Sequence, residues 1–135
     1  VAYKIQEIEG IGHAYGDKLA QAGIITTDDL LKCCCDAKGR KAVAEQTGLS
    51  KEQLLKWANM ADLMRISGVG SEYSELLEAA GVDTVKELRN RRADSLTLKM
   101  REINEAKKLT RANPAVSQVG KWIQQAGTLD PLISH

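Results

Sequence analysis

Apolar residues recur along this chain at spacings of three and four, the signature of helices that bury one face. Leu54, Leu55, Trp57, Ala58, Ala61 and Leu63 follow Ser50-Lys51-Glu52-Gln53, a capping box that predicts a helix start. A second stripe, Leu96, Met100, Ile103, Ala106 and Leu109, predicts a helix over 93–109. Asn113-Pro114 breaks the chain, and Val116, Val119, Trp122, Ile123 and Ala126 predict a last helix before a tail from Gly127. One more helix is expected from Thr27 to Cys35, resuming from Gly39 to Gln46.

Two shorter stretches are copies of each other. Residues 8–24 run IEGIGHAYGDKLAQAGI, and residues 66–82 run ISGVGSEYSELLEAAGV. The offset is constant (68 − 10 and 81 − 23 are both 58), so no gap is needed. Each copy reads as a tight Gly-x-Gly turn feeding a helix, with Tyr15, Leu19 and Ala22 in one and Tyr73, Leu76, Leu77 and Ala80 in the other at helical spacing. Gly23 and Gly81 sit where a C-terminal cap is expected. The likeness extends into Thr26-Thr27-Asp28-Asp29-Leu30 and Thr84-Val85-Lys86-Glu87-Leu88, each opening on Thr with an acid three residues later.

These residues resemble the helix-hairpin-helix family, on the strength of Gly10-Ile11-Gly12 and Gly68-Val69-Gly70 and the helices that follow them. The extension from Gly23 to Leu30 is also similar to the C-terminal domain of bacterial RNA polymerase alpha subunits. The chain as a whole resembles an uncharacterised bacterial domain family built on this duplication. The expected fold is all-α: two tandem helix-hairpin-helix units, over 1–65 and 66–135, packed into one compact helical bundle with a C-terminal helix. Neither half is long enough to bury a large core alone, so the halves are expected to pack together.

The resemblance implies sequence-independent contact with duplex DNA. Amides with no intrahelical partner would hold a phosphate at the positive end of the helix dipole. The implied contacts are Gly10, Ile11, Gly12, His13 and Lys18 in the first copy, and Gly68, Val69, Gly70 and Ser71 in the second. Two features oppose this. Glu72, Glu75 and Glu78 line the second copy, and Asp17 stands beside Lys18. A plain connecting turn, with Ile11 and Val69 plugging the core, explains the same glycines.

Composition changes the picture only in part. The 135 residues carry a net charge of +1, which gives no overall pull toward a polyanion. The charge is nevertheless polarised. From Arg89 to Lys121 the chain has nine basic residues, among them Arg89, Arg91 and Arg92, against Asp94, Glu102 and Glu105. Lys38 to Lys41 reads as a second, smaller basic loop. Such polarity serves a nucleic acid, or equally an acidic protein partner or a second copy of the chain, which the Trp122 helix would help to dock.

Other chemistry is not expected. With two histidines, no Ser-His-Asp or Cys-His arrangement is credible, so no catalytic residue and no enzyme is inferred. Cys33, Cys34 and Cys35 are consecutive and have no second cluster to share a metal with, so neither metal nor cofactor is expected. They read instead as one buried thiol with flanking neighbours. The glycine turns lack the third glycine of a dinucleotide site. No apolar run approaches the roughly 20 residues of a membrane span, and no signal-peptide pattern opens the chain. A cytoplasmic location without membrane partners is the expectation.

Overall fold

The computed structural model describes residues 2–135 and is all-helical, as the periodicity predicts. A 3₁₀ turn at Ile5–Glu7 precedes α1 (Gly12–Gln21), α2 (Thr27–Cys34), α3 (Ala37–Thr47) and α4 (Lys51–Leu63). Then come α5 (Ser71–Ala79), the single-turn α6 (Val85–Leu88), α7 (Ala93–Lys107) and the C-terminal α8 (Val116–Ala126).

Start signals in the sequence account for several boundaries. Thr26 and Ser50 each close a reciprocal capping box, with Asp29 and Gln53, at the heads of α2 and α4. Thr84 accepts from the Glu87 amide at 3.4 Å, but Glu87 does not reach back, so the repeated signal is weaker in the second copy. Helix α7 stops at Lys107, two residues short of the predicted end, because Lys108 turns left-handed at φ 52°.

The basic segment 38–41 is not a loop. Asp36 caps α3 by accepting the Gly39 amide at 2.7 Å, and Gly39 passes the carbonyl of Cys33 where a Cβ would not fit. Arg40 is 4% exposed and donates to the carbonyls of Cys34, at 2.9 Å, and Ser134, at 2.7 Å. It therefore fixes the C-terminal tail and presents no charge to a partner. Ser134 also donates to the Cys35 carbonyl at 2.8 Å, and Ile133 packs on the first cluster of buried residues.

Each half builds its own apolar cluster. One runs from Ile5 to Met64, the other from Leu63 to Ala126, so α4 contributes to both. Packing repeats as well: α2 lies on α4 as α6 lies on α8, and α1 meets α3 as α5 meets α7. The halves join through α4 and α5 and through one buried polar knot. In the first half Thr27 N–H donates to the Tyr3 carbonyl at 2.9 Å. Its counterpart 58 residues on (85 − 27), Val85, donates at 2.9 Å to the carboxylate of Asp62, which is fully buried. Arg65 pairs with Asp62 at 2.7 Å and donates to the Asp130 carbonyl at 2.9 Å.

Asp62→Ala should lower stability by about 3 kcal/mol, since it strands the Val85 amide and leaves Arg65 without its counter-charge. Asp62→Asn, which keeps an acceptor, should lose less. Urea midpoints of the two variants against the parent chain check this order.

Candidate functional site

The two glycine turns close with the same hydrogen bonds. Ile11 N–H donates to Ile8 at 3.2 Å and Val69 N–H to Ile66 at 3.1 Å. At the far ends of α1 and α5, Ile24 donates to Leu19 and Val82 to Leu77, each at 2.9 Å. Gly10 and Gly68 have φ of 91° and 88°, backbone that a side chain would strain by roughly 1–2 kcal/mol. The copies part at the next glycine. Gly12 has φ 60° and opens α1, whereas Gly70 is extended at φ −97° and stands one residue before α5.

A tryptophan from the last helix of each half reaches back to its turn. A Cβ on Gly10 would lie 3.8 Å from Nε1 of Trp57, and one on Gly68 3.3 Å from Nε1 of Trp122. Tyr15 stacks on Trp57 with ring centroids 5.3 Å apart and planes tilted by 53°. Tyr73 and Trp122 repeat this at 5.1 Å and 56°. The indoles are 4% and 2% exposed. Among the described residues neither indole N–H has a hydrogen-bond partner. Neither nitrogen counts among the sealed unpartnered atoms, Asn59 Oδ1 and Arg89 Nε, so each opens to the surface at its turn.

The residues named from sequence differ in exposure and in place. Gly10, Gly12, His13 and Gly68 are exposed, and Gly70 and Ser71 are half-buried. Ile11 and Val69 are buried, and their amides are taken inside the turn, so they brace it. Lys18 is exposed but lies in the last turn of α1, about 9 Å along the axis from Gly12. The three arginines each engage a different partner. Arg89 donates to the Leu129 carbonyl at 3.3 Å. Arg91 lies 3.5 Å from Glu87, and Arg92, the most exposed, 3.5 Å from Asp94. Lys99, Arg101, Lys107, Lys108, Arg111 and Lys121 are exposed.

Charge distinguishes the turns. The first turn of α1 holds no acidic residue, whereas that of α5 holds Glu72. Between the halves a cleft of about 380 Å³ is lined by Glu9, Gly10, Lys56, Met60, Glu75, Lys108 and Leu109. Burial raises the Glu75 pKa above the ordinary carboxylate range, and the charge of Glu9 raises it further, against the pull of Lys56. Lys56 also stands 4.0 Å from Glu78.

The cysteines are free. Cys34 is buried, its thiol pushed up to about 12 by desolvation, while Cys33 and Cys35 are half-buried. Among the described residues no three metal-ligating side chains converge, and no helix is long and apolar enough to cross a membrane.

In the sequence both tryptophans belong to apolar stripes, and their place beside the glycines emerges only in the fold. One signal was available: the chain has two tryptophans, and each repeat holds one on its last helix. The tryptophans are 65 apart (122 − 57), not 58, so the gapless register that aligned the turns did not align them.

Gly68→Ala should cost more than Gly23→Ala. Both sites have positive φ, but a Cβ at Gly23 meets nothing within 4 Å while one at Gly68 presses on Trp122. Thermal unfolding should rank them so, and only Gly68→Ala should shift the tryptophan emission.

No solved structure matches the chain. Residues 9–129 match a family described as Domain of unknown function (DUF4332), which spans both turns, both tryptophans and every helix from α1 to α8. The chain belongs to that family of uncharacterised domains.

Proposed function

We propose that this protein binds duplex DNA weakly and without reading its sequence, using its two glycine turns as helix-hairpin-helix contacts to phosphate. The observation that carries this reading is the head of α1. There exposed Gly12 and His13 open a helix whose first turn has no acidic side chain to compete with an anion. First-turn amides have no partner four residues back and suit a phosphate oxygen. The exposed cations of α7 and α8 would add affinity by releasing counterions. Arg89 has no part in this, because the Leu129 carbonyl holds it.

The second turn is the weaker contact, since Glu72 already answers the dipole of α5. The acids Glu72, Glu75 and Glu78 favour a second reading, in which this side of the molecule docks a basic protein surface and the hairpins serve only as connections.

His13→Glu with Ser71→Glu separates the two. These are equivalent positions (71 − 13 is 58) in the first turns of α1 and α5, where a carboxylate supports the helix but repels phosphate. Fluorescence anisotropy of a labelled duplex should show binding by the parent that falls steeply from low to moderate salt. The double variant should bind roughly tenfold more weakly while keeping its circular dichroism. A flat titration up to ~100 µM parent protein in low salt would exclude the DNA reading in favour of a protein partner.

A further inference from the structure

We infer that the indole N–H groups of Trp57 and Trp122 are themselves phosphate donors, so that each hairpin presents a side-chain donor beside its backbone amides. This rests on the DNA reading above. An indole N–H can only donate, so one without a protein acceptor is left to solvent or to a ligand. Both tryptophans are more than nine-tenths buried, but neither Nε1 is among the sealed unpartnered atoms: each lacks a protein acceptor among the described residues and opens to the surface at its turn. Each Nε1 lies beside the glycine of an exposed turn, 3.8 Å from a Cβ placed on Gly10 and 3.3 Å from one on Gly68, and no other side chain comes within 4 Å of that position.

The arrangement occurs twice, through helices offset by 65 residues onto turns offset by 58 (122 − 57 against 68 − 10). Two halves that differ in length and charge still deliver the same atom to the same place. Packing needs a large apolar ring there. It does not need that ring's one donor at the turn. A ligand seated at the turn meets this free donor, and beside a helix N-terminus an anionic oxygen is the acceptor with the largest gain.

The chain's two indole N–H resonances in a ¹H–¹⁵N correlation spectrum test this without altering the protein. Trp57→Phe and Trp122→Phe assign them, each deleting one peak. On adding a short mixed-sequence DNA duplex at low salt, both indole protons should move downfield and exchange more slowly with water. Inorganic phosphate alone should move the same peaks in the same direction, less far. Each Phe variant that keeps its circular dichroism should bind duplex roughly tenfold more weakly.

An indole peak that stays in place while the amides of its own turn shift overturns the assignment for that turn and leaves DNA binding standing. Shifts with duplex but not with phosphate would mean that the indole meets a base or sugar, which also overturns it. No shift anywhere, with flat anisotropy, removes the DNA reading and this inference together.

Discussion

The edge of an indole against a glycine turn is the interaction on which each half of this molecule closes. Trp57 and Trp122 sit on α4 and α8, the last helices of their halves, and reach back to Gly10 and Gly68 at the first turns. A Cβ would strain the left-handed backbone at either glycine, and at Gly68 it would also press on the indole, whereas at Gly10 it would only touch it. Tyr15 and Tyr73 pack against the same rings, with centroids 5.3 and 5.1 Å away. Within this closure Ile11 and Val69 plug their clusters, and α1 and α5 take their direction from turns that are already fixed.

Two such halves need a joint, and the molecule uses polar groups for it. Asp62, fully buried at the end of α4, accepts the amide of Val85 and pairs with Arg65, which also reaches Asp130. At the far end Arg40 and Cys35 hold the last residues against the first half. These bonds are directional, and a buried one is costly to leave unmade, so they set how the halves meet more narrowly than apolar contact would.

Local chemistry was legible in the sequence, and its long-range consequences were not. The boxes at Thr26 and Ser50, the stripe of α8 and the left-handed Gly23 and Gly81 all follow from residues within one or two turns of each other. Arg40 lies in a basic run that reads as a solvated loop, because nothing nearby reveals that residue 134 returns to cover it. Arg89 belongs to the most basic stretch of the chain, yet it turns to a carbonyl forty positions away in sequence. The turn glycines were identified from their spacing alone. Their amides divide between bracing and exposure, and that division depends on which carbonyl each one faces after folding.

Exposure at the heads of α1 and α5 is what any phosphate contact must rest on. Amide hydrogen exchange read residue by residue, with and without a DNA duplex at low salt, is the most direct test. Exchange should slow at Gly12, His13 and Ala14, less so at Ser71 and Glu72, and not at all at Ile11 and Val69, whose amides are bonded within the turns. Protection confined to α7, or to the acidic face of α5, with both turns unchanged, would contradict phosphate contact at the turns.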